Sequence, residues 1–303
     1  MGFAAFTHRL TPRSLSRWFC LVLALMLPAL AIAEEARFSH GILWKIDGKG
    51  ATASYLFGTI HVDDDRVLAL PPAVRAAFDQ ADSFAAELLS DDASTRKFLA
   101  SMITADAELP ALVGAAAYPQ VDKLLGEHGI PEAARTRFKP WAAMLTLLEP
   151  RAGSGLILDR VLQDEAARQK KPIHALETVD QQIAVFDGLP RASQLALLAR
   201  AVADHAAIQD STRLMVDAWL AGDLEALWKL DAEAMSGDAA IEAHNAALLE
   251  RLLYARNARF VRSLVPLLGK GRLFAAFGAL HLYGERGVLS LLDKMGYKLE
   301  RVY

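Results

Sequence analysis

Two short segments carry the same residue order at the ends of apolar runs: Leu56-Phe57-Gly58-Thr59-Ile60-His61 and Ala276-Phe277-Gly278-Ala279-Leu280-His281. A glycine lets the backbone turn tightly as it leaves a buried strand. An imidazole three residues later then sits at the carboxyl end of the sheet, the edge where sites form in open parallel sheets. One Gly-x-x-His is common by chance, whereas two at corresponding points of one chain suggest a shared site. With both strands in one sheet, His61 and His281 face each other across a crevice, their nitrogens about 2.0–2.1 Å from one divalent ion. Two neutral imidazoles leave such an ion under-coordinated. Glu87 and Glu177 each close a short apolar run and are best placed to complete the shell. A carboxylate on a buried edge must be paired, liganded or protonated, so an arginine salt bridge is the alternative for either.

The expected chemistry is metal-assisted hydrolysis. A bound ion lowers the pKa of its water toward neutrality and a nearby carboxylate takes the proton. His61, His281 and Glu177 are the expected ligands and Glu87 the expected base, with the two glutamate roles open to exchange. Arg256 lies beside Asn257 in an otherwise apolar helical stretch and is either an oxyanion fork or a salt-bridge partner. Asp63, Asp64 and Asp65 read as a solvated loop from which one residue can reach the ion, and Glu285 reads as structural. His40, His128, His174, His205 and His244 lack the glycine motif. No Gly-x-Ser-x-Gly elbow, Walker loop or Gly-x-Gly-x-x-Gly fingerprint is present.

The elements that must position these groups follow from the pattern. Ile42–Ile46 and Ala53–Phe57 read as two strands joined by a turn rich in Asp47, Gly48 and Gly50. Pro71-Pro72 opens a helix whose apolar Val74, Ala77, Phe78 and Ala81 fall at helical spacing, and Ser83–Leu88 is the next strand. The same design returns at the other end: strand Arg272–Phe277, helix Val288–Met295, strand Tyr297–Val302. Strand–helix–strand units favour parallel pairing through right-handed crossovers. The expected fold is therefore α/β: a pseudo-duplicated, parallel-type sheet core built from amino- and carboxyl-terminal βαβ units. A large helical middle region, roughly 95–262, separates them, interrupted by a short strand at Lys171–Glu177.

The 303 residues are 53% hydrophobic and 23% charged, a globular composition. Arg9, Arg13 and Arg17 precede an uncharged run from Trp18 to Ala33 that ends Ala31-Ile32-Ala33, the pattern of a secretory signal peptide over residues 1–33. A single domain over 34–303 is expected to follow. Its removal takes three arginines and no acid, leaving 30 basic against 36 acidic residues, a formal charge of −6. That balance argues against nucleic-acid partners. The one cysteine, Cys20, lies in the leader, so no disulfide or thiol nucleophile is expected in the remainder. A periplasmic or secreted location follows, with membrane contact only through a transient or uncleaved leader.

The Gly58–His61 motif with Leu70-Pro71, Ala86-Glu87-Leu88, Leu176-Glu177-Thr178 with Gln181-Gln182, Arg256-Asn257, and Gly278–Leu282 with Gly284 together resemble the TraB/GumN family. That family includes PrgY-like and YbaP-like proteins and is grouped with the Tiki metalloproteases and, more distantly, with erythromycin-esterase-like and haem-binding ChaN-like proteins. The resemblance spans about Ile42 to Tyr303. It implies an α/β fold with a pseudo-duplicated core, a site made from the paired histidines, acids and an arginine, and, from the Tiki branch, metal-dependent proteolysis. The leading expectation is a metal-dependent hydrolase of the cell envelope, a peptidase acting on a peptide or small molecule, with manganese, cobalt or zinc as the candidate ion. The alternatives are a non-catalytic protein binding a peptide, haem or metal in the same crevice, and an envelope-assembly protein with a vestigial site.

Overall fold

The computed structural model describes residues 37–48, 52–150, 156–235 and 237–303. The expected signal peptide and Cys20 lie outside the described residues. Six strands form one mixed sheet in the order β4-β3-β5-β2-β1-β6. They are β1 (Leu43–Asp47), β2 (Ser54–Thr59), β3 (Ser83–Ala86), β4 (Ile173–Ala175), β5 (Leu273–Gly278) and β6 (Lys298–Arg301). The four strands β4, β3, β5 and β2 run parallel, and β1 pairs antiparallel with both β2 and β6. The α/β expectation therefore holds, with one refinement: the hairpin and the closing strand make one side of the sheet antiparallel.

Position in the sheet explains composition. β5 is central and every one of its residues is buried, as both faces are covered by helices, so Leu-Phe-Ala-Ala-Phe-Gly is a continuous apolar run rather than an alternating one. The helix Pro72–Gln80 starts with proline in its first turn and turns Val74, Ala77 and Phe78 onto the sheet. There Phe274 meets Phe57, Phe78 and Phe84 at ring-centroid distances of 5.8, 5.3 and 6.4 Å. Three connections skip strands: β2 to β3 passes over β5, β4 to β5 passes over β3, and β5 to β6 passes over β2 and β1.

Between β3 and β5 the chain is helical apart from β4, matching the expected middle region. This region is tied to the sheet: Trp219, fully buried on the helix His205–Leu220, donates its indole N–H to the Gly58 carbonyl at 2.9 Å. No described helix is long and apolar enough to cross a membrane.

Candidate active site

The parallel strands end at one edge, and the residues beyond their ends are His61, Glu87, Glu177 and the turn Ala279–His281. The Glu177 N–H donates to the Glu87 carbonyl at 3.0 Å, so the segments after β3 and β4 continue side by side. Gly58 lets the two histidine-bearing loops approach each other. A Cβ there would lie 2.8 Å from Leu282 Cδ1 and 2.9 Å from Ala279 Cα, closer than packed atoms tolerate.

Arg256 is the hub. It is 0% exposed and follows a π-helical turn, Glu250–Tyr254, that leads into the helix Ala255–Leu268; such turns recur at functional sites. Nε donates to Glu177 Oε1 at 2.9 Å and Nη2 to the same oxygen at 2.6 Å. Nη2 also donates to Glu87 Oε2. Nη1 donates to the Leu252 carbonyl and to His281 Nε2, each at 3.2 Å. A guanidinium has five N–H donors, and these five hydrogen bonds, to four acceptor atoms, use them all. The second oxygen of Glu177 accepts from Arg259 Nη1 at 2.6 Å, and Glu87 Oε1 accepts the Gly278 N–H at 2.8 Å.

The state of His281 follows from its neighbours. Asn257 Nδ2 donates to the Arg286 carbonyl at 2.8 Å, which turns Asn257 Oδ1 toward His281 Nδ1. That oxygen only accepts, so the imidazole proton is on Nδ1 and the lone pair is on Nε2, facing Arg256 and 3.6 Å from Glu87 Oε1. Burial, with the charges of Arg256 and His61 added to it, pushes the His281 pKa well below the ordinary histidine value. His281 is neutral.

His61 is in a different environment. Its Nε2 lies 3.2 Å from Oδ2 of Asp159, in the first turn of the helix Leu158–Arg168, and Thr59 Oγ1 steadies Asp159 Oδ1 at 2.9 Å. Burial alone lowers the His61 pKa, but the charge and contact of Asp159, helped by Glu87, outweigh it and the net shift is upward. His61 Nδ1 is buried and has no hydrogen-bond partner among the described residues. In front of these groups opens a small crevice of about 20 Å³, lined by His61, Glu87, Asp159, Ser90, Gln163 and Gln182 among others.

The sequence-predicted residues thus gather at one sheet edge, but in two layers rather than as one metal cage. His61 and Glu87 reach the crevice. His281, expected to face His61 across it, is 0% exposed and is not among its lining residues. Glu177, expected as a ligand, has both oxygens taken by arginines, and Arg256, considered as an oxyanion fork, has no N–H left to offer. The physical reason is that the guanidinium occupies the point between Glu87, Glu177 and His281 where a shared cation would sit. Among the described residues no group of three or more His, Cys, Asp or Glu side chains is arranged to hold a metal ion, so the donor set does not fit the expected centre. Asp64 is engaged elsewhere: it caps the short helix Asp65–Leu68 and pairs with Arg66.

Asp159, Thr59 and Arg259 escaped the sequence reading. An acid in the first turn of a helix is ordinarily explained by the helix dipole, and only the buried Ile157 and Leu158 before Asp159 hint that this carboxylate points inward.

Sheet and site together mark an α/β protein whose polar chemistry is concentrated at the carboxyl edge of its parallel strands, the general layout of enzymes built on open sheets. The chain belongs to the TraB/PrgY/gumN family, whose profile matches residues 42–301. Its relatives include the metalloprotease TIKI2 of Danio rerio, 26% identical over 299 residues that cover 82% of this chain and 58% of that protein. A metalloprotease TIKI homolog of Amphimedon queenslandica is 24% identical, covering 93% of this chain and 68% of the relative. The uncharacterized protein YbaP of Shigella flexneri is 26% identical over 80% of this chain and 89% of its own length. The chain therefore spans little more than half of the TIKI2 protein. No solved structure matches significantly.

Proposed function

We propose that this chain is a hydrolase acting on peptide bonds at the crevice formed by His61, Asp159 and Glu87. The observation that carries the reading is the His61–Asp159 pair: a histidine made more basic by a carboxylate 3.2 Å away, in a residue that lines a crevice. The relatives named as metalloproteases support the reaction class. His61 takes a proton from a water as its oxygen bonds to the substrate carbonyl carbon, and Asp159 stabilises the imidazolium. His61 then returns the proton to the departing amine nitrogen as the C–N bond breaks. Glu87, fixed by Arg256 and the Gly278 N–H, accepts a hydrogen bond from the water and holds it in line.

A peptide-library cleavage screen tests this. His61→Gln should lower turnover by roughly 10²–10⁴, the usual worth of a positioned acid–base group, and Glu87→Gln by roughly 10–100-fold, the scale of a hydrogen bond to a charged group. Cleavage by both variants at the native rate would refute it. The same screen run with a chelator and with added manganese, cobalt or zinc reads the ion requirement that the relatives' names suggest. We further place the protein in the cell envelope, on the charged-then-apolar leader. Intact mass of envelope-recovered protein should begin at Glu34, and a full-length species confined to the cytoplasm would overturn that placement.

A further inference from the structure

Three glutamines stand at or beside the crevice, and they differ in what their amides do. Gln163 grips the chain at Ser90: its Oε1 accepts the Ser90 N–H at 2.9 Å and its Nε2 donates to the Ser90 carbonyl at 3.3 Å. Gln181 completes a capping box with Thr178. Gln182 lines the crevice and is only 4% exposed, yet its side-chain amide has no hydrogen-bond partner among the described residues. Its backbone N–H is satisfied within the helix Val179–Asp187, by the Thr178 carbonyl. Nearly all polar side chains so deeply buried find a partner, and this one lines the crevice.

The charges around it say what kind of ligand. Glu87 is bridged by Arg256 and Asp159 lies 3.2 Å from His61, so each crevice carboxylate already faces a basic group. No unpaired arginine or lysine lines the crevice to attract an anion. A primary amide offers one acceptor and one donor group side by side, which matches the N–H and C=O that one residue of an extended peptide presents on the same side. We infer that Gln182 is the specificity-determining residue of this crevice, reading the backbone N–H and C=O of one residue of an extended bound peptide through paired hydrogen bonds. The inference rests on the peptide-hydrolase reading for its ligand class, and it assigns Gln182 to binding and not to the proton transfers.

The test uses the full chain and a mixed tetrapeptide library, with bound peptides recovered by rapid gel filtration and cleaved ones identified by mass spectrometry. Gln182→Leu keeps most of the volume without the amide, and Gln182→Glu keeps an acceptor without the donor. For the best peptide recovered, each variant should bind about tenfold more weakly, and KM should rise about tenfold while kcat stays within about threefold, the scale of a lost neutral hydrogen bond. Replacing one peptide amide by an ester should weaken wild-type binding by a similar factor at a single position, and Gln182→Leu should be indifferent to that replacement. Equal binding by wild type and both variants, or ester effects that are the same in wild type and Gln182→Leu, would overturn the inference. So would failure of the wild type to retain any peptide at millimolar concentration. Peptides retained but never cleaved would sink the hydrolase proposal and leave this one standing. Melting temperatures within a few degrees of wild type confirm that the variants are folded.

Discussion

Replacing Arg256 by methionine removes the cation from the middle of a buried ionic lattice. The side chain is 0% exposed and its five N–H groups serve Glu87, Glu177, His281 and the Leu252 carbonyl. After the change Glu177 keeps Arg259, but Glu87 is left with the Gly278 N–H and no cation. Breaking a buried pair by deleting one member costs about 3–5 kcal/mol, because the surviving charge stays buried. For a chain of this size each kcal/mol lowers the melting temperature by about 2–4 °C, so the expected fall is roughly 6–20 °C, read by calorimetry or by the urea midpoint. Arg256→Lys should lie between, since an ammonium restores the charge but brings three donors where the guanidinium made five hydrogen bonds. Adding Glu87→Gln to Arg256→Met should recover part of the loss by removing the uncompensated charge. If Arg256→Met melts within about 2 °C of wild type, the lattice is not what holds this edge of the sheet together.

Asp159→Asn should lower the His61 pKa, measured by NMR titration of the imidazole, because burial then acts with less opposition; an unchanged value would separate Asp159 from His61 function. Gly58→Ala should force the two histidine loops apart, since its Cβ meets Ala279 and Leu282 within 3.0 Å, at about 1–3 kcal/mol for overpacking, and native-like melting would show that the loops yield freely. His281 gives a pH signature: its folded pKa is depressed, so the unfolded chain binds the extra proton first. The stability it contributes is full above about pH 6.5 and is lost as pH falls below it toward the folded pKa. His281→Asn should flatten that acid-side slope in urea titrations, and an unaltered slope would mean that His281 is charged in the fold.

Much of the sheet was legible because its strands are short and their exits are marked. Gly58 and Gly278 end β2 and β5 on identical motifs, and Glu87 and Glu177 follow apolar runs that no solvated loop would carry. Chain direction alone then puts all four chemical groups at one edge, whatever the strand order. The order itself was not readable: that β5 inserts between β2 and β3 is a property of crossover geometry, not of any local run. Depth was equally hidden. His61 and His281 look equivalent in sequence, but β5 is central and the turn after it is covered by Asn257 and Phe260 of one helix, whereas the turn after β2 opens toward Asp159.

That asymmetry decides how the repeated motif should be understood. Two like loops would serve a symmetric metal cage only if both imidazoles faced an open point with carboxylates free to join them. Here the second imidazole is held neutral, with its proton fixed by Asn257 and its lone pair against a guanidinium. The first is made more basic and lies at the crevice wall. Opposite pKa shifts on paired titratable groups separate their roles, one available for proton transfer and the other fixed as scaffold. Arg256 links them: the same guanidinium that suppresses protonation of His281 orients Glu87, and Glu87 helps to raise the pKa of His61. The duplicated motif therefore builds a buried layer and a crevice-facing layer, joined through one arginine.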